Sequence, residues 1–156
     1  MLSAQIREPM LESDTPLSTD ETEIMDVLES VHAALRSKDS AAVVAHFTPD
    51  ADIFDLAPPL GHKVNQQGWA AWFDTWAGSV ERESRDVKLT ISGDLAFAQS
   101  LYHVGATAKD TGERAVWWMR ATVCLRRTDR WRIVHEHTSV PFHMDGSFRA
   151  ATDLEP

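Results

Sequence analysis

Residues 114–140 read RAVWWMRATVCLRRTDRWRIVHEHTSV and are the most informative part of the chain about its fold. Apolar and polar residues alternate over much of this stretch, and the alternation is interrupted at Thr128-Asp129-Arg130. A period of two is typical of strands with one buried face, and the polar triplet is typical of a turn. The stretch therefore predicts two antiparallel strands, from about Arg114 to Arg127 and from Trp131 to Val140.

Two further strands are predicted before this pair. Apolar residues alternate with polar ones from Val87 to Ile91, Gly93-Asp94 follows as a typical hairpin turn, and a longer run covers Leu95 to Ala108. The long runs exceed the usual strand length of about 5–6 residues, so the sheet should twist and coil strongly. We therefore expect a curved antiparallel sheet whose concave side is covered by other elements.

The N-terminal half of the chain predicts the covering helices. Ser18 to Glu21 has the spacing of a capping box, and an apolar stripe at helical spacing follows up to about Ser37. Asp39 can cap a second, shorter helix that presents Phe47 and that Pro49 stops, because a residue before proline is pushed out of the helical region.

A short strand and a third helix complete the pattern. Residues 51–56 predict a strand that ends at Pro58-Pro59, since proline has no N–H group for further pairing. Asn65 can cap a helix that runs through Ala77 and is closed by Gly78. Its aromatic residues share one side, and they are Trp69, Trp72, Phe73 and Trp76. The predicted class is α+β, with three N-terminal helices on the curved sheet in the order α-α-β-α-β-β-β-β.

Composition limits the classes of function. The chain has 156 residues, 24 acidic and 15 basic, and its formal charge of −9 would repel the phosphates of a nucleic acid. It lacks the run of about 18 apolar residues that a membrane span needs and the N-terminal layout of a signal peptide. Cys124 is the only cysteine, which suits a reducing compartment. We therefore expect a cytoplasmic protein with no nucleic-acid or membrane partner.

The same patterns predict the domain boundaries. Residues 1–17 contain two prolines, scattered charges and no sustained period, so we interpret them as a flexible N-terminal tail. Residues 18–141 contain every predicted element and form one domain. Residues 142–156 are interpreted as a C-terminal tail.

Two stretches carry a resemblance to a known family. They are residues 38–51, KDSAAVVAHFTPDA, and residues 131–141, WRIVHEHTSVP. Together with the order of elements they resemble the nuclear transport factor 2-like superfamily, which includes ketosteroid isomerases and SnoaL-like polyketide cyclases. The resemblance covers residues 18–141 and implies a cone-shaped α+β barrel, or cystatin-like roll, with a hydrophobic pocket for a small apolar molecule. It also implies a homodimer that pairs through the open face of the sheet.

Asp55 is the first candidate catalytic residue. The resemblance places it where ketosteroid isomerases keep their general-base aspartate. A carboxylate among apolar walls binds a proton more tightly than in water, which suits removal of a proton from carbon. The chain departs from the isomerase pattern, because the tyrosine of that family falls near Val31 and the only tyrosine is Tyr102. Alternatively, Asp55 caps a turn or pairs with an arginine.

Arg120 is the second candidate, because it stands in the middle of a predicted strand. An arginine in that position needs an acidic partner, which Glu136 or Asp55 could supply. If its face of the sheet lines the pocket, Arg120 binds a carboxylate or stabilises an enolate beside Trp118 and Thr122. The alternative is a structural ion pair or a contact between subunits.

The last predicted strand carries further candidates. His135 and His137 share one face and Glu136 lies on the other, but a one-residue shift in pairing would exchange the two faces. We therefore keep both His135 and Glu136 as candidate catalytic residues. A catalytic zinc site usually needs three protein ligands, and a third is not evident, so we predict no metal and no cofactor. The predicted ligand-binding residues are Trp72, Trp76, His103, Trp118, Thr122, His137 and Thr138.

Three functions fit these residues. The first is a cofactor-free isomerase or cyclase that acts on an apolar carbonyl compound by proton transfer. Asp55 would be its base, and Arg120 with one of His135 or Glu136 would orient the substrate or support the oxyanion. The second is a non-catalytic module for ligand binding or dimerisation. The third is a hydrolase that adds water to an epoxide or an ester.

Overall fold

The computed structural model describes residues 16–156, which form three helices and six strands. In chain order these are α1 (Thr19–Arg36), α2 (Ser40–Val44), β1 (Phe47–Phe54), β2 (His62–Lys63), α3 (Gln66–Phe73), β3 (Trp76–Ser92), β4 (Leu95–Ala108), β5 (Arg114–Arg127) and β6 (Trp131–Ser139). The predicted α+β class is confirmed, and the bounds of β4 and β5 are those predicted. Most of the predicted N-terminal tail lies outside the described residues.

The six strands form one curved open sheet in the order β2-β1-β6-β5-β4-β3. β3 to β6 make an antiparallel meander, whereas β1 pairs in parallel with β6 and antiparallel with β2. β3, β4 and β5 have 14 to 17 residues, and strands of this length curve because each twists about its own axis. The face that packs against α1 is called the inner face below, and the opposite one the outer face.

α1 begins at the predicted capping box. The Glu21 N–H donates to Ser18 Oγ at 3.2 Å, and the Ser18 N–H donates to the Glu21 carboxylate at 2.6 Å. The apolar stripe buries Ile24, Leu28 and Leu35 in one core with the inner face of the sheet. Full burial of such side chains contributes about 1.5–3 kcal/mol each, so this stripe holds α1 on the sheet.

α3 is shorter than predicted. Asn65 caps the helix as expected, but the helix ends at Phe73 and not at Ala77. Trp76 is instead the first residue of β3, where its backbone pairs with Ala108 on β4. The prediction was wrong because aromatic spacing along the chain carries no information about a pairing partner on a distant strand.

The start of β1 also differs from the prediction. α2 ends at Val44, and Phe47, expected on that helix, is the first residue of β1. Pro49 therefore lies inside the strand, where it is tolerated because the pairing with β6 is irregular between Phe47 and Asp52. The short strand β2 was not predicted, and it pairs with the end of β1.

A β-bulge in β6 decides which of its side chains point inward. The pairing of β5 and β6 shifts register once and leaves Val134 as an extra residue. Before the bulge the buried positions are odd-numbered, as at Ile133, and after it they are even-numbered, namely Glu136 and Thr138. The bulge therefore points Glu136 to the inner face and His137 to the outer face.

The segment after β6 returns to the domain. Phe142 forms an isolated bridge with Ala150, and the Ala151 N–H donates to the carbonyl oxygen of Pro141 at 2.8 Å. Ala151 is buried. The first ten residues of the predicted C-terminal tail thus turn back on themselves and bond to Pro141, just after the end of β6. No helix within residues 16–156 is long and apolar enough to cross a membrane.

Candidate active site

A cavity of about 450 Å³ lies between α3 and the inner face of the sheet. Its aromatic wall consists of Trp69 and Trp72 from α3, Trp76 from β3 and Trp117 from β5. Ring centroids lie 5.7 Å apart for Trp69 and Trp72, and 6.3 Å apart for Trp76 and Trp117. Four indole rings around a volume in the usual range of small-molecule sites fit a flat, largely apolar ligand.

Asp55 and His62 form a hydrogen-bonded pair at the exposed end of this cavity. His62 Nε2 is 2.9 Å from Asp55 Oδ2, and its Nδ1 is 3.0 Å from the carbonyl oxygen of Lys63. Both partners are hydrogen-bond acceptors, so this geometry favours the ring with a proton on each nitrogen, which is positively charged. The hydrogen bond to Asp55, followed by the one to Lys63, raises the pKa of His62 above its ordinary value of 6.5.

Asp55 is also held from its other side. The Ala57 N–H donates to Asp55 Oδ1 at 3.1 Å, which makes an Asx turn after β1. The Asp55 and His62 side chains are 42% and 34% exposed, so the pair faces both the cavity and water. A carboxylate that accepts two hydrogen bonds still has free lone pairs, and Asp55 can therefore accept a proton from a ligand.

Arg82 and Glu136 form a second charged pair, deep in the cavity wall. Their side chains are only 4% and 6% exposed, and Arg82 Nη1 lies 3.6 Å from Glu136 Oε1. Arg82 comes from β3 and Glu136 from β6, just after the bulge. Burial of charges is unfavourable unless they are paired and hydrogen-bonded, so this pair forms a polar patch in the cavity wall in addition to Asp55 and His62.

Two neutral side chains support Arg82. Its Nε–H donates to His32 Nδ1 at 2.9 Å, so the proton of His32 is on Nε2 and is donated to Ser84 Oγ at 2.7 Å. Burial, followed by the charges of Arg82 and Arg36, lowers the pKa of His32 to about 3. His32 is therefore neutral at physiological pH, and it orients the guanidinium as a hydrogen-bond acceptor.

Tyr102 completes the buried network. The Arg82 guanidinium carbon lies 4.5 Å from the centre of the Tyr102 ring, which is a cation–π contact. The Tyr102 hydroxyl is 3.5 Å from Glu136 Oε2, long for a hydrogen bond. Burial, and next the nearby Glu136 charge, raise the pKa of Tyr102, so its hydroxyl remains protonated. No three His, Cys, Asp or Glu side chains of the described chain are grouped to hold a metal ion.

The match to a protein-family model covers the whole of this site. A model of the SnoaL-like domain matches residues 24–143, which include every residue that lines the cavity. The chain belongs to the SnoaL-like domain family. The resemblance read from residues 38–51 and 131–141 is thereby confirmed.

Solved structures share the fold of this SnoaL-like domain. A nuclear transport factor 2-like protein of unknown function from Pseudomonas putida KT2440 is 31% identical, with a TM-score of 0.76 over 87% of this chain and 96% of that chain. A protein from Streptomyces avermitilis, provisionally described as a dehydratase of the same superfamily, is 16% identical, with a TM-score of 0.70 over 78% of this chain and 96% of that chain.

A third structure, from Novosphingobium aromaticivorans DSM 12444, is provisionally described as a scytalone dehydratase. It is 13% identical to this SnoaL-like domain, with a TM-score of 0.70 over 84% of this chain and 90% of that chain. At 13% and 16% identity the similarity shows the fold alone. A comparison with proteins of curated function gave no match.

Part of the predicted site lines the cavity of the SnoaL-like domain. The residues concerned are Asp55, Trp72, Trp76, Glu136 and Thr138. The fold brings Asp55 together with His62, and it brings Glu136 together with Arg82. Both carboxylates thus have basic partners, but neither partner is the one that the sequence suggested.

Arg120 was predicted to be a catalytic residue, but it does not line the cavity. Met119 points inward and is buried, so strand alternation places Arg120 on the outer face, where it is exposed. Its Nε–H donates to Ser139 Oγ at 3.1 Å. The partnership expected between Arg120 and Glu136 was wrong, because Arg82 takes that place from the inner face of β3.

The remaining predicted site residues also lie on the outer face and do not line the cavity. His103 stacks on Trp118 with ring centroids 4.5 Å apart. Thr122 pairs with His137 across β5 and β6, and His135 contacts a backbone carbonyl of β1 at 2.8 Å. The prediction that these five residues line the pocket was wrong, because the bulge in β6 and the alternation of β4 and β5 point them outward.

Three residues of the site were missed from the sequence, namely Arg82, His32 and His62. Arg82 lies in a part of β3 that the helix predicted through Ala77 and the strand predicted from Val87 left unassigned. His32 follows Leu28 by one helical turn on the buried side of α1, so a polar residue within the apolar stripe was an available signal. For His62 no pattern was available, because its partner depends on the path of the loop.

Proposed function

We propose that this SnoaL-like domain is a cofactor-free enzyme of the isomerase or cyclase type that moves a proton on a small, largely apolar carbonyl compound. The observation that carries the proposal is the Asp55–His62 pair, 2.9 Å apart, in the wall of an aromatic cavity. Proton transfer from carbon needs a base near that carbon and a donor for the oxygen that becomes negative. Asp55 and His62 supply both groups from one place.

The proposed reaction begins when Asp55 takes a proton from the carbon next to the carbonyl group. The electron pair of the C–H bond moves toward the carbonyl oxygen and forms an enolate. Protonated Asp55 is a weaker acceptor, so His62 redirects its Nε2–H from Asp55 to the enolate oxygen. Where the substrate has a double bond next to the reacting carbon, the enolate is conjugated with it, and Asp55 returns the proton to the far carbon of that double bond while the double bond moves next to the carbonyl group, so no atom is gained or lost. A positioned base of this kind contributes about 10²–10⁴-fold to the rate.

Loss of water is a close variant of this chemistry. Two of the structural neighbours are provisionally described as dehydratases. Elimination of water from a hydroxy ketone starts with the same removal of a proton by Asp55, and the leaving hydroxyl then takes a proton that His62 can donate. Analysis of the product separates dehydration from isomerisation.

Hydrogen–deuterium exchange tests the proposal before the natural substrate is known. The bicyclic ketone 2-tetralone is incubated with the protein in D₂O at neutral pH, and uptake of deuterium next to the carbonyl is followed by NMR. We expect exchange above background with the wild type, and a loss of about 10²–10⁴-fold with Asp55→Asn. Glu81→Gln is the control, because Glu81 is an exposed carboxylate that pairs with Arg114 outside the cavity.

A metabolite extract, analysed by native mass spectrometry before and after incubation, extends the test to natural compounds.

Undiminished exchange of 2-tetralone in folded Asp55→Asn would remove Asp55 from the mechanism. A compound that is retained unchanged, together with no exchange of 2-tetralone, would favour the non-catalytic binding module. Addition of water to a retained epoxide or ester would favour the hydrolase.

A further inference from the structure

Arg82 has more hydrogen-bond donors than partners within residues 16–156. Its guanidinium carries five N–H groups, and Nε–H is used by His32. The nearest oxygen of Glu136 is 3.6 Å from Nη1, beyond the range of a good hydrogen bond. Arg82 lines the cavity although its side chain is only 4% exposed, so its free donors lie at the cavity wall.

Glu136 has matching unused acceptors. In the described part of the chain its carboxylate contacts Arg82 at 3.6 Å and the Tyr102 hydroxyl at 3.5 Å, both long distances. Buried carboxylates normally accept several good hydrogen bonds, because burial without them is unfavourable. Arg82 and Glu136 therefore stand side by side in the cavity wall, and each has hydrogen-bonding capacity that a third polar group could use.

The two charges restrict the chemistry of that third group. An anionic group attracted by Arg82 would be repelled by Glu136. A cationic group attracted by Glu136 would be repelled by Arg82. A ketone or ether oxygen accepts from Arg82 but offers no proton to Glu136. A neutral hydroxyl accepts from the guanidinium and donates to the carboxylate, so it satisfies both residues.

We infer that Arg82 and Glu136 form a subsite for a hydroxyl group of a neutral ligand, and that the substrates are hydroxylated, mainly apolar carbonyl compounds. This inference rests on the proposed function in taking the cavity as the substrate site. Ile53 pairs with Glu136, and Asp55, the first residue after β1, follows Ile53 by two residues, or about 7 Å of extended chain. The hydroxyl is therefore several bonds away from the carbon that reacts at Asp55.

Three probes of one shape test the subsite on the wild-type protein. They are 2-naphthol, 2-methoxynaphthalene and 2-naphthoate, and calorimetry gives their dissociation constants at neutral pH. We expect 2-naphthol to bind about tenfold or more tightly than its methyl ether, because only the naphthol donates to Glu136. We also expect 2-naphthoate to bind more weakly than 2-naphthol, because its carboxylate meets that of Glu136.

A paired substitution assigns the preference to these residues. In the double variant Arg82→Met with Glu136→Gln, the affinities of 2-naphthol and its methyl ether should come within about twofold of each other. Both buried charges are removed together, because loss of only one would leave an unpaired buried charge and destabilise the fold more. The matched control is Glu81→Gln with Arg114→Met, which removes an exposed ion pair outside the cavity and should retain the preference.

The results separate this inference from the proposed function. Equal affinities of 2-naphthol and its methyl ether for the wild type, or tighter binding of 2-naphthoate, would overturn the hydroxyl subsite. Such a result would leave Asp55-dependent exchange of 2-tetralone untouched. A preference for 2-naphthol that disappears in the cavity pair variant supports the subsite even if no exchange is seen. The wild-type comparison is decisive if that variant does not fold.

Discussion

At the residue scale, the two carboxylates of the cavity differ in what surrounds them. Asp55 is partly exposed and is held by a charged histidine and a backbone N–H, which leaves it free to exchange a proton. Glu136 is buried beside Arg82, whose orientation depends on the neutral ring of His32. The partly solvated pair suits chemistry and the buried pair suits recognition, because a buried charge that loses its partner is costly.

The pairing of Asp55 and His62 predicts a titration at this scale. The hydrogen bond that His62 donates to Asp55 raises the pKa of His62 above 6.5. The ion pair therefore stabilises the fold fully below pH 6.5, and this stabilisation is lost as the pH rises through the raised value. We expect NMR of labelled histidine to give a midpoint above 6.5 for His62 in the wild type and a lower midpoint in Asp55→Asn.

The control for this titration is His46. Burial, followed by the charge of Arg130, lowers the pKa of this histidine. Its midpoint should stay below 6.5 in both proteins. An unchanged His62 midpoint in Asp55→Asn would contradict the ion pair.

Conversion of substrate should also decrease as His62 loses its proton at alkaline pH, because the neutral ring stabilises an enolate less well.

At the scale of elements, α3 decides the aromatic wall. It has eight residues, and an isolated helix of that length is marginal in water, so its N-cap and its packing must hold it. Trp69 and Trp72 line the cavity from this helix, while Phe73 is buried in the core. The position of the aromatic wall therefore depends on the stability of the first turn of α3.

The cap at Asn65 predicts a stability change. Its Oδ1 accepts the Gly68 N–H at 2.6 Å, so Asn65→Ala should lower the free energy of unfolding by about 1 kcal/mol. Asn65→Ser is the matched variant that keeps an acceptor and should lose much less. Urea unfolding followed by circular dichroism measures both. Equal losses would show that contact with the cavity, and not the cap, is what matters.

At the scale of the whole molecule, the outer face of the sheet exposes apolar side chains. Phe54 is 42% exposed and Phe97 39% exposed, and Trp118 lies on the same face. No helix of residues 16–156 covers this face, since the helices pack on the inner one. We propose that two copies of the chain pair through it, because apolar surface on an open sheet favours association.

The proposed dimer predicts a change in sedimentation. Phe97→Arg places a charge within the apolar surface and should convert a dimer into a monomer at micromolar concentration. Leu17→Arg is the control, because Leu17 is exposed just before α1, away from the outer face. A wild-type chain that sediments as a monomer, or a Phe97→Arg variant that remains dimeric, would contradict pairing through this face.

Features that depend on neighbours along the chain could be predicted before the structure was known. The period of two predicted β4 and β5 with their observed bounds, and the caps at Ser18, Asp39 and Asn65 are where the sequence placed them. These features could be predicted because a strand alternates and a helix cap bonds within three residues. For the same reason Asp55 could be placed at the end of β1, where a turn follows.

The set of side chains that share the cavity could not be predicted without the folded structure. The bulge at Val134 selects Glu136 over His137, and the early start of β3 brings Arg82 to the same wall. His62 reaches Asp55 because β2 pairs with β1. Each of these outcomes depends on strand register between residues far apart in the chain, and a shift of one residue reverses the face of every side chain beyond it.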